Sequence, residues 1–183
     1  VEGMFAAVFV ETLGVELQRP FPRLSYKEAM ARYGSDKPDL RFGMEIVDVS
    51  DVAKGIDFRL FADKTSTGGV VRGIRAEGGG RFSRKDVDDL AAEAAVFGAQ
   101  GLLPIWVEEA GSRSPLQKFA TADQMQALIG RFQAQAGDLI LLVADSRAVV
   151  EPSLGALRLA LAEHLGVERA GWAFAWVVDF PMF

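Results

Sequence analysis

Twelve residues from Tyr33 to Met44 concentrate groups that can do chemistry. The run Tyr-Gly-Ser-Asp-Lys-Pro-Asp-Leu-Arg-Phe-Gly-Met carries the hydroxyl of Ser35 and four charged side chains, on Asp36, Lys37, Asp39 and Arg41. A loop of this kind presents charges to a polar ligand. It also suits a plain connector, because Gly34 and Gly43 allow unusual backbone angles and Pro38 fixes φ. The residues alone leave both interpretations open.

Two other places have a possible chemical role beside an ordinary one. Gly78–Gly80 precede a predicted helix, where backbone N–H groups can cradle a phosphate. The dinucleotide spacing and a Gly-Lys-Ser/Thr ending are both missing, which favours a flexible turn. His164 is a general-base candidate, but no nucleophile or metal motif accompanies it. Its place in the last turn of a predicted helix suits a cation beside the helix dipole.

Two charged sites complete the candidates. Arg81, Arg84 and Lys85 lie at a predicted helix start, which disfavours positive charge unless an anion binds nearby. The alternative for this cluster is a solvated surface. Asp179 precedes Phe180-Pro181 and suits either a metal ligand or the end of a strand.

Composition excludes several classes of site. The chain has 183 residues, half of them hydrophobic, and a net charge of −5. An overall cationic surface for nucleic acid is therefore excluded, although a local basic face is not. Without cysteine there is no disulfide or thiolate site, and one histidine excludes multi-histidine metal sites. No apolar stretch of about 18 residues and no signal peptide is present, so we expect a cytoplasmic protein.

The elements that must position the loop come first in the chain. Residues 4–13 have helical apolar spacing, and Gly14 follows them as a stop. Ser25 and Glu28 predict a capping box that opens a short helix, which Gly34 ends in a left-handed conformation. The chain begins with Val and stops after an apolar run, so we expect it to be cut from a longer polypeptide.

The remaining pattern predicts alternating strands and helices. The first part has an extended segment at 44–49, a helical turn at 51–55, and strands at 58–61 and 70–76. Then come a helix from Ser83 to Gly98 or Gly101, a strand at 102–107 with Pro104 at an edge or bulge, and a short strand at 116–119. The last part has a helix from the Thr121/Gln124 capping box to near Gly137, a strand at 139–144, a helix with Pro152 in its first position ending at Gly166, and a strand at 172–178. The first two strands suggest a hairpin or two adjacent strands. The order predicts an α/β (α+β) fold with two layers, in which helices cover one face of a mainly antiparallel sheet.

Several strings resemble one family, the bacterial type of aspartyl-tRNA synthetase. The strings that resemble its class II catalytic domain, just before the family's inserted domain, are Pro22–Tyr26, Glu28–Met30 and Tyr33–Arg41. Trp176–Phe183 resembles the return to that domain, and Ser114–Phe119 with Gly155–Leu159 resembles the insertion, called the GAD domain. The resemblance covers essentially the whole chain in the right order.

The resemblance implies an organisation and an activity. Residues 1–49 and 167–183 would flank a GAD-like insertion at 50–166. The intact enzyme would use ATP and Mg²⁺ to activate aspartate, transfer it to tRNA and form a homodimer. The family's main catalytic arginines fall outside this stretch, so we expect no activity, no cofactor, and no catalytic or metal residue here. Ser35, Asp36, Lys37 and Arg41 match the family loop and are the candidate site residues.

Two other functions stay open. A related GAD-like domain occurs in a tRNA-dependent amidotransferase subunit, and a stand-alone interaction domain is also compatible with the pattern. The strings at Tyr33–Arg41 and Trp176–Phe183 discriminate, because they resemble the synthetase's catalytic domain and not its insertion.

Overall fold

The computed structural model describes residues 1–182, and Phe183, the last residue of the C-terminal string, lies outside them. Within that range the α-helices are α1 (Glu2–Leu13), α2 (Tyr26–Tyr33), α3 (Ser50–Ala53), α4 (Arg59–Ser66), α5 (Arg84–Ala95), α6 (Ala122–Arg131) and α7 (Arg147–His164). The strands are β1 (Arg23–Ser25), β2 (Val47–Asp48), β3 (Val70–Ala76), β4 (Leu103–Glu108), β5 (Gly111–Arg113), β6 (Leu139–Asp145) and β7 (Trp176–Val178). Short 3₁₀ turns span Gly79–Arg81 and Pro115–Lys118. No helix in residues 1–182 is both long and apolar enough to cross a membrane.

A five-stranded antiparallel sheet forms the centre, in the order β2-β3-β6-β4-β5. β3 and β6 pair along their full lengths, from Val70 opposite Asp145 to Ala76 opposite Leu139. Every residue of β6 is buried, as its continuous apolar run predicts. A second, two-stranded sheet pairs β1 with β7 in parallel, so the two ends of the chain meet there.

Helices cover both faces of the central sheet. On one face α5 and α7 pack with Ile74 and Leu141, and on the other α3, α4 and α6 pack with Val71 and Ile140. The predicted α/β class with a mainly antiparallel sheet is confirmed, but the structure has helical layers on two faces instead of one. The reason lies in β3 and β6, whose successive side chains point to opposite faces and are mostly apolar on both.

Two predicted strands are helical in the structure. The segment 58–61 leads into α4 and buries Phe61, so the expected hairpin is absent and β3 pairs with β2 and β6 instead. A short apolar run fits helix and strand equally well by periodicity, and packing decided between them. The segment 116–119 belongs to a 3₁₀ turn that buries Leu116, with the Ser114 hydroxyl accepting from the Leu116 N–H.

Several helix and strand boundaries also differ. Pro152 is inside α7, which begins five residues earlier at Arg147. α6 ends at Arg131 and not near Gly137, and β7 begins at Trp176 and not at residue 172. The capping boxes at Ser83/Asp86 and Thr121/Gln124 are formed. At α2 only one half forms, because Ser25 accepts from the Glu28 N–H while the Glu28 carboxylate binds Arg32.

Candidate functional site

The loop from Tyr33 to Met44 begins where α2 ends against α7. Gly34 has φ 67° and donates its N–H to the Met30 carbonyl at 3.0 Å, as the predicted left-handed helix end requires. A Cβ on Gly34 would overlap the Glu151 carbonyl oxygen, and one on Gly155 would lie 2.5 Å from the Gly34 carbonyl oxygen. The two glycines therefore allow the backbone of the loop to touch the backbone of α7.

Arg158 of α7 holds the loop in place. Its guanidinium donates to the carbonyl oxygens of Asp39 at 2.7 Å, Phe42 at 2.8 Å and Gly43 at 2.9 Å. It also lies 4.0 Å from the centroid of the Phe42 ring, and the residue is only 1% exposed. Burial lowers the pKa of Arg158, but several carbonyl dipoles surround the charge. We call this contact between the loop and α7 the junction.

The two ends of the loop are also tied to each other. Arg32 in α2 donates to both carboxylate oxygens of Glu45, at 2.9 and 2.7 Å, and the Ile46 N–H donates to the Arg32 carbonyl. The Arg32 hydrogen bonds hold the pKa of Glu45 below its usual value. The Tyr33 hydroxyl donates to Glu45 as well, and burial raises the pKa of Tyr33. The loop is therefore closed at its base.

The four predicted site residues fall into two groups. The Arg41 guanidinium binds both carboxylate oxygens of Asp39, at 2.9 and 2.7 Å, and this lowers the Asp39 pKa to about 2. Arg41 also donates to the Arg169 carbonyl, so it has a structural role. The Ser35 hydroxyl accepts from the Lys37 N–H and shapes the turn. Within residues 1–182 the side chains of Asp36 and Lys37 form no hydrogen bond or ion pair, which leaves them available to a ligand.

Three of the other candidates, Gly78–Gly80, His164 and Asp179, take their ordinary roles in the described residues. The N–H groups of Gly78 and Gly80 already donate to the Asp138 side chain and the Gly137 carbonyl, so they form no phosphate cradle. His164 Nδ1 is 2.9 Å from the carbonyl of Ala160 in its own helix. Asp179 follows β7 with φ 58°. The described part of the chain contains no group of three or more side chains placed to hold a metal ion.

The residue that the sequence analysis missed is Arg158. Its position has a readable signal, because Leu154, Arg158 and Leu161 recur at helical spacing on the buried stripe of α7. A cation on such a stripe requires buried acceptors, and loop carbonyls supply them.

Comparison with known proteins identifies the central part of the chain and its relatives. The GAD domain family matches residues 61–154. The chain is 51% identical over 183 residues to an aspartate–tRNA(Asp/Asn) ligase of Moorella thermoacetica and 48% identical to the same-named protein of Heliobacterium modesticaldum. It is 46% identical to an aspartate–tRNA ligase of Geobacillus kaustophilus. These matches cover 99–100% of this chain, which spans about 30% of the length of the relatives.

Proposed function

We infer the function from the fact that this chain belongs to the GAD domain family. We propose that it is part of an aspartate–tRNA ligase and comprises the insertion domain with the two adjoining pieces of the catalytic domain. The observation that carries this proposal is the unbroken similarity to such ligases over all 183 residues, including those outside the matched GAD segment at 61–154.

The packing of the two ends supports this organisation. β1 pairs with β7, and the Trp176 indole N–H donates to Glu2 at 2.7 Å. The Phe9 ring packs edge-on against Trp172 and Phe174. Residues before and after the sheet domain thus form one unit, as two parts of a catalytic domain interrupted by an insertion would. We propose domain boundaries near residues 49 and 166, with β2 joining the insertion's sheet at the first of them.

The activity of the longer polypeptide is part of the proposal. We propose that it activates aspartate with ATP and Mg²⁺, transfers it to tRNA, works as a homodimer and is cytoplasmic. The free groups of the loop, one carboxylate at Asp36 and one ammonium at Lys37, do not fit Mg²⁺, which takes an octahedral set of oxygen ligands. The chain's own contribution is to hold the loop in one position through Arg158.

The amidotransferase and stand-alone alternatives have less support. Both account for residues 61–154, but neither accounts for the similarity to ligases in the flanking residues that form α2, the loop and β7.

A segment exchange tests the proposal. The matching 183 residues of the Moorella thermoacetica ligase are replaced by this chain, and aspartylation of tRNA is measured. We expect activity within about tenfold of the parent, because the exchanged segments are 51% identical over 183 residues. A tenfold loss corresponds to about 1.4 kcal/mol of transition-state stabilisation. This chain alone is the control, and we expect no ATP–pyrophosphate exchange from it. A chimera that unfolds cooperatively like the parent but cannot aspartylate tRNA would overturn the proposal.

A further inference from the structure

A groove of about 570 Å³ lies beside β4 in the GAD domain, and the loop junction does not contribute to it. Its apolar lining comes from Val87, Leu102, Pro104, Trp106 and Pro115. Its charged lining comes from Arg84, Arg113, Lys118 and Asp88. Three cations thus face one carboxylate in a chain whose net charge is −5. We call this the β4 groove.

The β4 groove is open because β5 is short. β5 pairs only with Trp106–Glu108, and after Arg113 the chain turns away into the 3₁₀ turn. The Val107 N–H and C=O point toward the β6 side, where they bond Asp138 and Gly137. Alternation along the strand then places Pro104 on the outer side, where it has no N–H to donate. An added peptide strand therefore lacks a donor there, and the groove is not suited to strand addition.

Two of the cations are unpaired. Arg84 and Lys118 form no ion pair or hydrogen bond with the residues that the structure describes, 1–182, and both are exposed. Arg84 is moreover the first residue of α5, where the helix dipole disfavours positive charge. An anion bound in the groove would offset that unfavourable placement.

The third cation, Arg113, forms a platform with the Trp106 ring. The Arg113 guanidinium lies 4.0 Å from the centroid of the Trp106 ring. The Trp106 ring is held in place, since the residue is 4% exposed and its indole N–H donates to the Phe82 carbonyl at 3.0 Å. Arg113 itself remains about half exposed. A guanidinium this close to an indole ring can stack on it and present its outer face to another planar group, such as a nucleobase.

We propose that the β4 groove binds a single strand of RNA, with one base stacked on Arg113 and phosphates held by Arg84 and Lys118. Separate cations around an apolar floor with a planar platform are the combination that binds unpaired nucleotides. An acidic peptide would bind the cations, but its carboxylates do not stack on the Arg113 platform. Its backbone also cannot pair along β4 at Pro104, which has no N–H to donate. The identity of the RNA as part of a tRNA rests on the proposed function, whereas RNA binding by this chain does not.

Fluorescence anisotropy of the 183-residue chain with a labelled RNA of about 12 nucleotides, across a salt series from about 50 mM, tests this proposal. We expect the Arg84→Gln/Lys118→Gln variant to raise Kd about tenfold or more at low salt. The slope of log K against log salt should fall by about 1.4 in magnitude, since each phosphate contact on a single strand contributes about 0.7. The matched control is Lys54→Gln/Arg59→Gln, which removes one exposed lysine and one exposed arginine outside the groove and should change Kd less than about threefold.

A charge-conserving variant tests the platform. Arg113→Lys keeps the positive charge but loses the planar guanidinium, so Kd should rise about fivefold while the salt slope stays unchanged. Thermal unfolding confirms that each variant is folded. The proposal is overturned if the control weakens binding as much as the groove variant does, or if the wild-type chain binds no RNA at low salt. It is also overturned if ATP or a poly-glutamate peptide displaces the RNA at equal concentration. Loss of ligase activity in the chimera with RNA binding intact would contradict the proposed function and leave this inference standing.

Discussion

Arg158 at the junction and Arg113 at the β4 groove make the same local contact with opposite consequences. Each guanidinium lies 4.0 Å from the centroid of an aromatic ring, Phe42 in one case and Trp106 in the other. Arg158 is 1% exposed and its donors are taken by loop carbonyls, whereas Arg113 is about half exposed and donates only to Glu108 among the described residues. The comparison teaches that donor satisfaction, and not residue type, separates a structural arginine from one available to a ligand.

The largest effect is expected from breaking the junction. Arg158→Met removes the donors of three loop carbonyls, so the free energy of unfolding should fall by about 3–4 kcal/mol in urea denaturation. Arg113→Met is the matched control and should change it by less than about 1 kcal/mol, because its ion pair with Glu108 is exposed. Equal losses in the two variants would remove the distinction.

The close approach of the loop to α7 gives the next effect. Gly34→Ala strains a left-handed residue and forces a methyl group into the Glu151 carbonyl, for a cost of about 3 kcal/mol. Gly14→Ala is the matched control, because Gly14 ends α1 with φ 66° and open space around it. It should cost about 1 kcal/mol, the strain alone. If the two substitutions have the same cost, the loop does not pack against α7 as described.

Lowering the pH tests how the Asp39 carboxylate contributes to stability at the junction. Its pKa is about 2 in the folded chain, held down by Arg41, against an ordinary value of 3.8. The unfolded state therefore binds a proton first as pH falls, and the stability contributed by this carboxylate is lost between about pH 4 and pH 2. Asp39→Asn lacks that carboxylate, so the stability difference between wild type and variant should shrink over this range. A difference that stays constant down to pH 2 would show that Arg41 does not bind Asp39.

The smallest change in stability is expected at Lys37, one of the two loop residues, with Asp36, whose side chains form no hydrogen bond or ion pair in residues 1–182. Lys37→Ala should alter the free energy of unfolding by no more than about 0.5 kcal/mol, since the side chain is exposed and forms no hydrogen bond or ion pair with residues 1–182. In the chimeric ligase the same variant decides the loop's role. A fall of at least about tenfold in kcat/KM at unchanged Tm assigns Lys37 a substrate contact, and unchanged kinetics leaves the loop a connector.

The sequence predicts the helix caps, helix ends and buried strands of this fold better than it predicts the features that depend on tertiary packing. The caps at Ser83 and Thr121, the helix end at Gly34 and the buried strand β6 all follow from nearby residues. The segment at 58–61 does not, because its helical form depends on burying Phe61 against the sheet. The second helical layer likewise follows only once the positions of β3 and β6 in the sheet are known.

The candidate site was predictable in part. Tyr33 to Met44 was identified from its composition, but its division into a structural pair, Asp39 and Arg41, and free groups, Asp36 and Lys37, depends on side-chain contacts. The partner of the loop is more than 110 residues away in sequence at Arg158. The β4 groove likewise joins the basic cluster at Arg84 to residues of a different element, and sequence spacing does not show that proximity.

The distinction between a structural Arg158 and a binding Arg113 is tested most directly by two lysine substitutions, Arg158→Lys and Arg113→Lys. For each variant, the free energy of unfolding and the Kd for RNA are measured. Both variants keep the charge and lose the planar fork of donors. Arg158→Lys should lose about 2 kcal/mol of stability and keep its RNA affinity, because fewer loop carbonyls retain a donor. Arg113→Lys should keep its stability and bind RNA about fivefold more weakly. If either variant loses both properties together, or if the two patterns are exchanged, the assignment of a structural arginine at the junction and a binding arginine at the β4 groove is contradicted.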